Sequence, residues 1–275
     1  MNIRDLIRIY RNDGYVIADA ESKVCQDIIL SKISKSRFKE HITIKGGVVM
    51  HSISKDKRRA TRDLDLDFIK YSLDDDSIIR FIKLLSDIDD GINISVEGNI
   101  VPLHHQDYNG KRVFLKISDD YNNVINTKLD IGVHKLFELE QDDYTFDLDA
   151  LNESVCLLIN SPEQIFTEKL KSLLKFGARS TRYKDIFDFY YLICNYNLDK
   201  TKLIKSISTY IYNDNDMREN NIHNIYDRLY KILNSRLYKN NLNNPKVNWL
   251  GINIDDAIVV VLDYINNLSD ALIAV

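Results

Sequence analysis

The chain has 275 residues, 44% of them hydrophobic and 28% charged, which excludes a disordered tail and supplies a core that needs no disulfide or metal staple. Three prolines and nine glycines exclude collagen-like and linker-like sequence. The net charge of −4 is uneven, because residues 1–160 carry 22 basic and 28 acidic side chains (−6) and residues 161–275 carry 15 and 13 (+2); neither part has the strongly positive balance that advertises a nucleic-acid partner.

In chain order, the first 40 residues read as two helices, the second over 18–35 with Val24, Cys25 and Ile28 at helical spacing. A short strand over 41–44 runs into Lys45-Gly46-Gly47 and a short helix over 48–52. Leu64, Leu66 and Phe68 then alternate with Asp63, Asp65 and Asp67, the period of a strand. A helix follows whose buried stripe is Ile78, Ile79, Ile82 and Leu85, then a hairpin turning at Asn109-Gly110. Strands are expected over 124–133 and 155–159, and helices over 162–175, 183–196, 200–212, 220–234 and 253–272, with the asparagine-rich 240–245 as a loop. The fold class is α+β: an α+β domain over residues 1–160, then a helical domain over 161–275. Cys25, Cys156 and Cys194 include no CxxC pair, so buried, reduced thiols in a cytoplasmic protein are expected rather than a zinc site. The opening Met1-Asn2-Ile3-Arg4-Asp5 has no secretory signal's apolar core, and the most apolar run, 257–262, is too short to span a membrane.

Asp63 and Asp65, two apart on a strand, share a face with Cα atoms about 6.6 Å apart, a separation from which carboxylates converge on cations about 3.5–4 Å apart, as in two-metal phosphoryl chemistry. Asp67 shares that face roughly 13 Å from Asp63 and joins only if the working pair is Asp65 and Asp67; a merely solvated edge is the plainer alternative. Gly46-Gly47, between strand and helix, offers backbone N–H groups to an anion, or is a simple turn. Asp130 lies opposite the apolar residues of its strand, with Lys128 and Gly132, and would add a third carboxylate if that strand neighbours the first. Ser161-Pro162-Glu163-Gln164 reads as a capped helix start. On the wheel that follows, Lys169 falls inside the stripe of Ile165, Phe166, Leu170, Leu173 and Leu174, so it must snorkel outward or meet an anion. Glu168, Lys171 and Lys175 fall outside it. In the next helix Ile186, Phe189, Tyr190 and Ile193 form the buried stripe, Arg182 and Asp185 flank it, and Asp188 projects outward. His104, His105, His51 and His134 read as ordinary polar residues.

Together, Lys45-Gly46-Gly47, Arg59-Ala60-Thr61-Arg62-Asp63-Leu64-Asp65, Glu168-Lys169-Leu170 and Arg182-Tyr183-Lys184-Asp185-Ile186-Phe187-Asp188 resemble the AbiEii/AbiGii-type, MenT-like nucleotidyltransferase toxins of type IV toxin–antitoxin and abortive-infection systems. The resemblance covers roughly residues 40–195 and implies a polymerase-β-like core, a mixed sheet flanked by helices. It implies metal-binding carboxylates at Asp63 and Asp65, with Asp130 as the third, and a hydroxyl at Thr61. It also implies a triphosphate contact at Lys169, an acidic catalytic residue at Asp185, and nucleotide-side residues at Lys45, Gly46, Gly47, Arg59 and Arg182. Gly47 stands where many nucleotidyltransferases carry serine, and Asp67 is an addition to the motif.

The implied activity is Mg²⁺-dependent transfer of NMP from an NTP to an RNA 3′ end, the tRNA acceptor stem, which blocks translation. A cognate antitoxin would be the partner, and Arg58, Arg59 and Arg62 the phosphate-contacting surface. The modest charge keeps open a small-molecule or protein hydroxyl as acceptor, and a third reading is an inactive module that only binds a partner.

Overall fold

The computed structural model describes residues 1–103, 110–136 and 138–272; Asn109 of the expected turn and the His104-His105 pair lie outside them. The chain divides into two compact units, Met1–Asn160 and Ser161–Val275.

The first unit runs α1 (Ile3–Asn12), α2 (Ile17–Lys35), β1 (Ile42–Lys45), α3 (Gly46–Ser54), β2 (Leu64–Ile69), α4 (Asp75–Ser86), β3 (Ile92–Val96), β4 (Val101–Leu103), β5 (Gly110–Asp119), β6 (Val124–His134), β7 (Asp142–Leu148) and β8 (Glu153–Ile159). The strands form one mixed sheet in the order β3-β5-β6-β2-β1-β8-β7, with β4 paired to β5. β2 is parallel to β6 and β1 parallel to β8, whereas β1 and β2 are antiparallel. One face carries Ile44, Leu66, Val113, Leu115, Leu129, Ile131 and Leu157, all at most 1% exposed, each contributing about 1.5–3 kcal/mol by leaving water. α2 packs on β6 and β8, and α4 on β3.

Three expectations for this unit change. Ile79 is 48% exposed and Phe81 takes its place at 0%, drawn in by edge-to-face contact with Phe68 and Phe38. β3 and β7 were not expected; both are edge strands and need only one apolar face. Cys25 is buried, its thiol pushed up to about 12 by burial, but Cys156 is exposed, as is Cys194 of the second unit.

His51 also departs from the ordinary polar reading. It is 8% exposed, with its Nε2 3.0 Å from the Tyr15 hydroxyl. Burial above all, then the charges of Lys23 and Arg59, pushes the imidazole down to about 4. The unfolded chain titrates near 6.5 and takes up the proton first on acidification. The stabilisation is therefore complete above pH 6.5 and is lost as pH falls towards 4, by up to about 3 kcal/mol. Urea midpoints should fall across that window in the wild type and less in His51→Gln; equal acid slopes would refute this account.

The second unit comprises α5 (Pro162–Phe176), α6 (Asp185–Asn195), α7 (Lys200–Ile207, continued by a π-helical turn, Ser208–Tyr212), α8 (Ile222–Leu233), α9 (Arg236–Leu242) and α10 (Ile254–Leu272). α5 starts as read: the Ser161 hydroxyl accepts from the Gln164 N–H at 3.2 Å, and Gln164 Oε1 accepts from the Ser161 N–H at 2.8 Å. The 240–245 loop is corrected, because α9 covers its first three positions. Ser235 caps that helix, and Tyr238 and Leu242 are wholly buried anchors that outweigh the weak helix propensity of asparagine. Among the described residues no helix is long and apolar enough to cross a membrane.

Candidate active site

Strand register assembles the acidic site. β1 sets Lys45 opposite Asp65, and β6 sets Asp130 opposite Asp65 on the other side. Strand alternation then puts Asp65, Asp67 and Asp130 on one face, with Leu64, Leu66, Leu129 and Ile131, at most 1% exposed, on the other. The neighbouring of the two strands, left open by the sequence, is thus realised with Asp65 and Asp130 side by side. Asp63 precedes β2, its Oδ1 2.8 Å from Lys128 Nζ.

The glycines make room for this group. Gly46 has φ +70°, and a Cβ there would lie 2.5 Å from Asp65 Oδ2. A Cβ on Gly47 would lie 2.8 Å from Thr61 Oγ1, so the Thr61 hydroxyl occupies the space that a serine at 47 would need. The turn, the hydroxyl and the carboxylate therefore form one packed cluster at the start of α3, whose N-terminus has no side-chain cap.

Cations hold most of these acids. Lys45 Nζ hydrogen-bonds Asp67 Oδ2 at 2.9 Å and lies 2.8 Å from Oδ1, with both residues buried, which gives the extra Asp67 a structural partner. Arg112 grips Asp130 with two bonds, Nε to Oδ1 at 2.7 Å and an Nη to Oδ2 at 2.8 Å. Those bonds, and the fields of Asp130, Asp63 and Asp65, raise the guanidinium pKa above its ordinary value. The sequence reading missed Arg112; its signal is the alternation of Arg112, Phe114 and Lys116 with the buried Val113, Leu115 and Ile117. Arg59 is only 5% exposed in the 3₁₀ turn Lys57–Arg59, which corrects its place in a phosphate-contacting surface; Arg58 and Arg62 are exposed and pair with Asp56 and Asp19.

In the helical unit Lys169 does not snorkel. It is 3% exposed, and its Nζ lies 2.6 Å from Asp185 Oδ1 and 2.9 Å from Asp188 Oδ2. Arg182 Nε donates to Asp185 Oδ2 at 2.8 Å. Asp188 was expected to point outward but is 0% exposed, because Trp249, 61 residues later, donates its indole N–H to Oδ1 at 3.1 Å. The expected stripe is also corrected: Asp185 to Phe189 are buried in succession, Leu192 completes the buried side, and Tyr190 and Ile193 are half-buried. Lys171, placed outside the α5 stripe, is 7% exposed and pairs with Asp214.

Among the described residues, no three His, Cys, Asp or Glu side chains cluster to hold a metal by themselves. The donors are nonetheless hard carboxylate oxygens, and the Asp65 carboxylate fills a cradle that only glycine at 46 allows. That set fits Mg²⁺, which keeps several waters and is held by one or two carboxylates together with substrate phosphates.

The family described as nucleotidyl transferase AbiEii toxin, type IV toxin–antitoxin system, matches residues 28–251, a span that includes both the carboxylate cluster of the first unit and the Lys169 cluster of the second. The chain belongs to the AbiEii family. It is a nucleotidyltransferase of the toxin side of a type IV system, so an NTP is its substrate class and an antitoxin its counterpart. A comparison with curated proteins gives no match. Among solved structures, an antigenic nucleotidyltransferase-like protein from Paracoccidioides brasiliensis is similar over 87% of this AbiEii chain and 93% of its own, at 15% identity and a TM-score of 0.38, too loose a likeness to bear on residue roles.

Proposed function

We propose that this AbiEii protein transfers a nucleoside monophosphate from an NTP to the 3′ hydroxyl of an RNA, the tRNA acceptor end, in an Mg²⁺-dependent reaction in the cytoplasm. The observation that carries the reading is the in-register pair Asp65 and Asp130, with Gly46 closed against Asp65 and Gly47 against Thr61. In this reading Asp63, Asp65 and Asp130 hold Mg²⁺, while the Lys45-Gly46-Gly47 turn and the N–H groups opening α3 receive phosphate oxygens. Mg²⁺, when bound, neutralises triphosphate charge and lowers the pKa of the attacking hydroxyl. The new bond joins the 3′ oxygen to the α-phosphorus as the α–β bridge breaks, the hydroxyl proton passes to solvent, and pyrophosphate leaves. Lys169, with two of its three ammonium donors on Asp185 and Asp188, offers the third to the triphosphate, and Arg182 and Asp185 fix its direction. A nucleotide added to the acceptor end prevents aminoacylation and so stops translation until the antitoxin intervenes.

The test is incubation with total tRNA, Mg²⁺ and each of the four labelled NTPs, beside Asp65→Ala and an EDTA control. Label should enter tRNA only with the wild type and metal. Incorporation that ignores either control, or none with any NTP, would remove the proposal.

A further inference from the structure

The polar face of the sheet continues past the carboxylates. Along β5, Val113, Leu115 and Ile117 point into the core, so Arg112, Phe114 and Lys116 share the opposite face with Asp65 and Asp130. Their register on β6 is Arg112 to Asp130, Phe114 to Lys128 and Lys116 to Asn126. Moving away from Asp130 in rungs of about 6.8 Å, the face presents a guanidinium on a carboxylate, then a phenyl ring opposite an ammonium, then a second ammonium. Phe114 is 41% exposed, although its neighbours two positions away are Arg and Lys. Lys116 is exposed, and its partners across both neighbouring strands, Asn126 and Ser95, are uncharged.

A lone exposed phenylalanine is ordinary on a protein surface. This one sits between cations, one rung from the candidate reaction centre, on a face where an apolar protein partner would have to desolvate charge. A ligand that matches the row must combine flat apolar rings with regularly spaced anions, which is the chemistry of an unpaired nucleic-acid strand. We propose that the β5–β6 face is the platform for the single-stranded 3′ end of the RNA acceptor, with Phe114 stacking on a base and Lys116 meeting a phosphate, while Lys128 stays on Asp63. The terminal hydroxyl would then lie at the Asp65–Asp130 end. This rests on the RNA-acceptor reading and adds the residues that select a single strand.

The experiment measures binding of 5′-labelled tRNA and of a 5′-labelled single-stranded RNA by fluorescence anisotropy, alongside KM for RNA and for NTP in the transfer assay. Phe114→Ala is expected to weaken RNA binding and raise KM for RNA about 10-fold, within the range for one base stacked on one ring, with KM for NTP unmoved. Phe114→Trp should keep wild-type affinity, and because the ring is exposed both variants should melt with the wild type. Lys116→Gln should reduce the slope of log affinity against log salt by about 0.7. RNA affinity unchanged in Phe114→Ala, while the wild type extends RNA, would overturn the platform and leave the acceptor reading standing. A rise in KM for NTP in place of RNA would assign the ring to the incoming nucleotide and equally overturn it. A wild type that labels no RNA would bring down the acceptor reading and the platform together.

Discussion

Nucleotidyl transfer is expected to fall about 10³-fold in Asp65→Ala, the several kcal/mol that metal-assisted charge stabilisation supplies at about 1.4 kcal/mol per decade. Gly46→Ala, which removes no functional group, is expected to lose about 10²-fold. An alanine Cβ there would stand 2.5 Å from Asp65 Oδ2, so the carboxylate must retreat by about 1 Å, and a misplacement of that size costs about that much. The substitution also forces a side chain into φ +70°, a strain of about 1–2 kcal/mol. Gly14→Ala separates the two effects, because Gly14 has φ +94° but nothing within 4 Å of the added carbon. It should lower the melting temperature by a similar amount and leave transfer intact. The check is kcat/KM and melting temperature for all three variants. A Gly46→Ala protein as active as the wild type would mean that Asp65 is not held where the reaction happens.

What the sequence disclosed followed the range of each signal. The Asp65–Asp67 alternation and the Ser161–Gln164 capping box are written within three or four residues, and both took the expected form, whereas Asp63, expected on the same strand, falls just before it. The place of Lys169 in the apolar stripe was legible because five apolar neighbours on one helix define its surroundings, but the choice between snorkelling and an anion was settled only by Asp185 and Asp188 on the next helix. Asp188 was misjudged on the same logic: a wheel drawn on α6 alone has no knowledge of Trp249, whose indole N–H makes an inward aspartate tolerable. Arg112 was missed for a related reason, since its partner Asp130 is brought opposite by a strand pairing that local periodicity does not encode. Asp67 looked superfluous until β1 set Lys45 beside it. Beyond the edge strands and α9, what had to be folded to be seen was the pairing of polar side chains distant along the chain.

Lys169→Met is expected to destabilise the helical unit by about 3–5 kcal/mol, the usual result of removing one partner from a buried ion pair. Asp185 and Asp188, 4% and 0% exposed, would lose one of the cations beside them without gaining water. Stability alone cannot assign Lys169 a role in transfer, because an unfolded unit is inactive for any reason. The double variant Lys169→Met with Asp188→Asn resolves this. It removes one buried charge of each sign, the amide oxygen that Asp188→Asn introduces can still accept from the Trp249 indole, and Asp185 keeps Arg182. Replacing a buried pair by groups of similar shape is often close to neutral, so the double variant should recover most of the lost stability in urea denaturation. If Lys169 donates to the triphosphate, the recovered protein still transfers at least about 10²-fold more slowly, with KM for NTP raised. Wild-type transfer by that stable double variant would reduce Lys169 to a structural cation and leave the phosphate contacts to the Lys45-Gly46-Gly47 turn.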